Sequence, residues 1–354
     1  MATRRTFLKG LAAAGLTPHA TWAAAGGPAF LTAGMETGGS YVLCGLDING
    51  EIIFRLPLPD RGHAAAAHPR RPEAVAFARR PGTFAMVLDC GNGVVKAMLE
   101  APSGRHFYGH GEFSKDGETL YTTENGFQTG VGYIGVWDAR DYRRIGEFSS
   151  GGIGPHDIKR LPGSDMLVVA NGGIDTHPDS GRTKLNLPTM KPNLSYVSDG
   201  QIRDQVELLS DWHKNSIRHL AVAEDGMVAF GMQWEGEGLS PPLIGLHQIG
   251  SEPRFLCAAD EIHEEMQGYV GSIALSKSGD AVAATSPRGG VVQIFATRTG
   301  NLVDNLREKD VGGIATLEES FAITSGNGIF RSSNEDHKTN ISQGVAWDNH
   351  LISV

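Results

Sequence analysis

An imidazole recurs at one address in a repeated unit, and that repeat restricts the chain to a small set of closed or stacked folds. Residues 109–125 run without a gap against residues 155–171 and bring His110 onto His156. The same frame carries His219 ahead of Ala223-Glu-Asp-Gly226, and His63 ahead of the apolar run 74–77. The four histidines are 47, 46 and 63 residues apart. That is near the period of a four-stranded propeller blade, provided the third unit carries an insertion.

Each unit shows the local chemistry of hairpins. Ser114-Lys-Asp-Gly117, Ala223-Glu-Asp-Gly226 and Ser276-Lys-Ser-Gly279 are tight-turn sequences, because their glycines supply a positive φ at no steric cost. Further strand pairs follow at 133–138 with 144–148 and at 291–295 with 301–305. Four strands per unit is the blade pattern. First strands are expected near His63, His110, His156, His219, Ser272, Gly313 and Gly344. The last unit is too short to form a sheet alone, and the N-terminal strands around 29–34, 41–47 and 51–56 have no first strand before them. The expected fold is therefore all-β, a seven-bladed propeller spanning residues 27–354 and closed by joining N- and C-terminal strands in one blade. Which terminus supplies that blade's second strand stays open. No helix longer than about two turns is expected.

Composition narrows the function. A formal charge of −9 in 354 residues, with no basic stripe, argues against nucleic acid and anionic lipid as partners. No stretch approaches the ~20 apolar residues of a spanning helix, so no membrane span is expected, and a monomer is. Residues 1–25 read as a twin-arginine signal that is removed: Arg4-Arg5 precede a short apolar segment and small residues at 23–25, which directs the protein to the periplasm. The three cysteines, Cys44, Cys90 and Cys257, lie in apolar strand-like runs and offer no disulfide framework. Local motifs for hydrolases, zincins, nucleotide loops and dinucleotide binding are absent, which weighs against an enzyme.

The seven units with Ser-x-Asp-Gly turns resemble WD40/YVTN propellers. Arg61-Gly-His63 with His68-Pro69, the segment 77–85 and the segment 109–114 together closely resemble the DUF1513 family of twin-arginine-exported periplasmic proteins. The resemblance covers essentially the whole mature chain. It implies no assigned activity. It does imply an association with iron acquisition, since members are commonly encoded beside imelysin-like and di-haem oxidoreductase-like proteins.

In a propeller the first strand of each blade lines the central channel. Residues at the strand start are expected at the channel mouth, on the face carrying the second-to-third strand loops. His63, His110, His156 and His219 should then form an arc there and ligate a transition metal such as Fe, Cu or Zn, for which neutral imidazole is suited. Ser272, Gly313 and Gly344 take the same address in the other blades. Loops on that face would bring Asn125, Asn171, Trp234 and Arg288 toward a bound cofactor, each with a competing role in turn geometry or blade packing. The insertion at 172–193 should lie over the arc, with Asp175, His177 and Arg182 available to complete a metal shell or recognise an anion. His68, His106, His213, His247, His263, His337 and His350 read as background. The competing reading is a docking scaffold whose mouth face and insertion receive a periplasmic partner, imelysin-like or haem-bearing. A lactonase- or quinoprotein-like enzyme would need carboxylates at the channel address, where the chain has His, Ser and Gly.

Overall fold

The hairpin turns form as their sequences require. The amides of Gly117, Gly226 and Gly279 bond to the carbonyls of Ser114, Ala223 and Ser276, each at 2.9 Å, with all three glycines at positive φ. The computed structural model describes residues 20–354 except 80, 81, 83, 182, 335–338, 342 and 343. The export motif around Arg4-Arg5, Arg182 and His337 lie outside the described residues. Residues Trp22–Ala25, from the segment expected to be removed, form a single 3-10 turn, and the Trp22 indole donates to the carbonyl of His68 at 2.9 Å.

The described strands form seven four-stranded antiparallel sheets, each in meander order. Their innermost strands are Gly62–Ala67, Arg105–Phe113, Pro155–Arg160, Asn215–Val222, Ser272–Leu275, Val311–Leu317 and Val345–Ser353. Successive inner strands contact one another around the ring, including the last against the first. Apolar side chains fill the wedges between blades. One such cluster joins Phe77 and Val87 of one sheet to Phe107, Leu120 and Trp137 of the next, and burying each aromatic contributes about 1.5–3 kcal/mol.

In the closing blade the C-terminal strand Val345–Ser353 is innermost, and the N-terminal strands Phe30–Glu36, Tyr41–Leu46 and Ile52–Leu58 supply the outer three. The second strand therefore comes from the N-terminal side. Phe30 pairs with Ser353 and Thr32 with Leu351, and the Thr32 hydroxyl donates to the carbonyl of His350 at 2.9 Å. Gly34 is required here, because a Cβ would come within 2.5 Å of Val345. Closure leaves no open sheet edge in the inner ring.

Six of the seven inner strands break register with their neighbours. The shifts lie between Gly62 and Ala65, Phe107 and Gly111, Pro155 and Asp157, Ile217 and His219, and Val311 and Ile314, and opposite Thr32 and Gly34 in the last strand. A β-bulge inserts a residue and re-aims its side chain. Each shift falls at the address of the repeated histidine. Only Ser272–Leu275 pairs regularly, and it carries Ser272 at that address.

Candidate metal centre

The bulges gather five imidazoles at the propeller axis. Neighbouring ring centroids are 4.6 Å apart for His350 and His63, 5.0 Å for His63 and His110, 5.1 Å for His110 and His156, and 4.9 Å for His156 and His219. His219 and His350, at 5.1 Å, close the circuit. All five are buried. Four come from the expected arc. The fifth, His350, corrects its reading as a background residue: the last inner strand is nine residues long and its bulge turns His350, rather than Gly344, into the channel. At Gly313 a side chain is excluded, because a Cβ would lie 2.4 Å from the Thr324 hydroxyl and 2.9 Å from the Leu351 amide.

The depth of the site also differs from expectation. His110, His219 and His350 stand well inside their strands rather than at the starts. A cavity of about 430 Å³ reaches these three, and its walls follow the inner strands toward the exposed Glu224 and Lys277 at the hairpin turns. The channel thus meets the histidines from the face opposite the second-to-third strand loops. Toward those loops the cluster is backed by buried Tyr108, whose ring is 6.2 Å from that of His156.

Burial and repulsion from neighbouring groups keep His63, His156, His219 and His350 neutral. Loss of hydration holds His63, His156 and His350 well below the usual imidazole pKa, and neighbouring imidazoles push each further down. The same burial, with repulsion from His110, takes His219 to about 3. A neutral imidazole keeps one lone pair for a ligand. His156 Nδ1 lies 3.0 Å from the carbonyl of Arg218, so it donates there and leaves Nε2 as the acceptor nitrogen. His110 Nδ1 lies 3.1 Å from the Oδ1 of buried Asp157. Burial works against ionisation of Asp157, but attraction from His110 and Lys159 outweighs it and holds the carboxyl below its usual range. This carboxylate–histidine pair fixes the His110 tautomer, as second partners of metal-ligating histidines commonly do.

The donor set fits a metal ion. His63, His110 and His350 offer ring nitrogens all within 4.8 Å of one another, and His110, His156 and His219 do the same. In the first trio the buried Nδ1 of His63 and Nε2 atoms of His110 and His350 have no hydrogen-bond partner. Unpaired polar atoms in a dry interior are costly, and an ion would satisfy them. Metal–nitrogen bonds of about 2.0–2.1 Å would draw these nitrogens closer together.

The other expected contacts lie elsewhere. Asn125 is buried and donates to the carbonyl of Thr176 at 3.2 Å, whereas Asn171 donates to Ser150, Asn193 and Ser195. Trp234 donates to the carbonyl of Glu237 at 3.3 Å, and Arg288 stacks over Tyr269 at 4.3 Å. None of the four lines the channel cavity. The insertion at 172–193 folds into two 3-10 turns, Pro178–Ser180 and Leu187–Thr189, with Ile174 and Met190 buried. Asp175 accepts nothing at its buried Oδ1, and His177 packs on Phe127; neither joins the five imidazoles. His68 is a structural tether, its Nδ1 accepting from the amides of Arg70 and Arg71 and its Nε2 facing the carbonyl of Gly117. His247 pairs with Tyr196 and His263 with Ser240. Asp157 and His350 are the two site residues that sequence reasoning misses.

A family model described as a protein of unknown function (DUF1513) matches residues 56–354. A search of curated proteins finds no match. Among solved structures, a chain of Kuenenia stuttgartiensis hydrazine synthase is similar over 88% of this chain and 96% of that chain, with a TM-score of 0.63 and 13% identity. That likeness establishes the shared propeller fold.

Proposed function

The chain belongs to the DUF1513 family, and we propose that it binds a transition metal ion at the five-histidine centre, in the service of iron or copper handling in the periplasm. One observation carries the reading: His63, His110 and His350, from three different blades, offer ring nitrogens within 4.8 Å of one another, and each has a buried ring nitrogen with no partner. Imidazole donors without thiolates suit Fe, Cu, Zn or Ni rather than Ca or Mg. The twin-arginine motif supports the compartment, and that export route carries folded proteins, which permits loading before export.

The test is metal analysis of protein purified from the periplasm, beside a variant with His63, His110, His156, His219 and His350 all changed to Ala. The wild type should carry metal and the variant none. Equal metal in both samples, or none in either even after incubation with Fe(II), Cu(II) and Zn(II), would falsify the reading and leave a docking scaffold as the alternative.

A further inference from the structure

Building on that reading, we infer that a metal ion in this centre keeps a coordination position open to the channel, and that a small monoanion occupies it with Lys159 on its other side. The cavity touches His110 of both trios, His350 of the first and His219 of the second, so an ion held by either trio would border it. Three protein ligands with a vacant fourth position are the mark of an exchangeable site, whereas closed structural sites use four.

Charge explains why the occupant is an anion. Imidazoles carry no negative charge to set against a dication, and among the described residues Asp157 is the carboxylate that contacts the cluster. It is already committed to His110, to the Leu220 amide at 2.9 Å and to the Ile158 amide at 2.8 Å. Apolar Ala65, Leu220, Ile273, Ile314 and Leu351 line the cavity together with Glu112, Lys159 and Arg160. An uncompensated positive charge in such surroundings is expensive. Lys159 lines the same cavity two residues beyond Asp157. Its amine is 3.9 Å from Glu112, close enough for an ion pair but too far for a hydrogen bond, so that carboxylate does not saturate its donors. Ser272, at the address that holds imidazoles in five other blades, leaves space on that side of the axis.

The experiment is an azide titration of the full-length protein loaded with one equivalent of Cu(II), followed by the azide-to-copper charge-transfer band and by electron paramagnetic resonance. A saturable new band is expected. Lys159→Met should retain its copper but bind azide about 10- to 100-fold more weakly, the range for loss of one charge-assisted hydrogen bond, and Lys159→Arg should recover most of the affinity. Retained copper with a spectrum indifferent to azide overturns the inference while sparing the metal reading, as does wild-type azide affinity in Lys159→Met. Failure to retain copper, iron or zinc after desalting overturns both.

Discussion

His110 and Asp157 form a clamped pair. Nδ1 and Oδ1 are 3.1 Å apart, and the carboxylate cannot swing away because two backbone amides, those of Ile158 and Leu220, also hold it. The Leu220 amide belongs to the next blade. The pair therefore ties ring orientation at the centre to packing between blades.

Asp157→Asn removes the charge and keeps the shape. Metal affinity should fall about 10- to 100-fold, the usual effect of losing such a partner. Competition with a chromophoric chelator measures this. An unchanged affinity would mean that His110 is not a ligand.

The metal-free protein should lose stability on mild acidification. His63, His156, His219 and His350 resist protonation in the fold because they are buried, whereas in the unfolded chain they take up protons near pH 6.5. Above that pH both states are neutral and nothing is lost. As pH falls below it, only the unfolded state gains protons, so stability declines by up to about 1.4 kcal/mol per pH unit per imidazole. Denaturant midpoints between pH 7.5 and 5 should fall steeply, and more gently in the five-alanine variant. Equal slopes would contradict the neutral cluster.

Gly109→Ala should damage the centre without touching a ligand. Gly109 has φ +103°, and a Cβ there would lie 2.5 Å from His63 Cδ2. Gly226 is the control: its φ is +87°, but a Cβ there would meet nothing within 4 Å. Both substitutions should cost about 1–3 kcal/mol in strain. Only Gly109→Ala should weaken metal binding, read by the same chelator competition.

Thiol reactivity should report ring closure. Cys44 and Cys90 are buried, with desolvation pushing both thiols up to about 12, whereas Cys257 is exposed. One accessible thiol per chain, Cys257, is expected to react under native conditions, slowed by burial and by Asp260, which push its pKa up. Deleting residues 345–354 strips the inner strand from the blade containing Cys44, and that thiol should then react as well. Continued protection of Cys44 would mean that the blade holds without its inner strand.

Much of this was legible in the sequence because hairpin turns repeat the same short-range chemistry. Asp-Gly turns at Gly117 and Gly226 fix where two inner strands end, and counting back from them gives His110 and His219; His156 follows from the ungapped match of 155–171 to 109–125. His350 escaped because its strand is followed by no such turn: its partner, Phe30–Glu36, lies at the other end of the chain. Strand ends could be read, but bulges could not. An extra residue inserted near Pro155 lets adjacent His156 and Asp157 both serve the centre, where strict alternation would send them to opposite faces. The same local shifts leave His110, His219 and His350 well inside their strands rather than at the starts.

Order of synthesis follows from the closing blade. Four of the five imidazoles leave the ribosome with their own sheets, but His350 arrives only with the strand that completes the circle. A prematurely terminated product would lack the fifth imidazole and leave Phe30–Glu36 as a raw sheet edge at once.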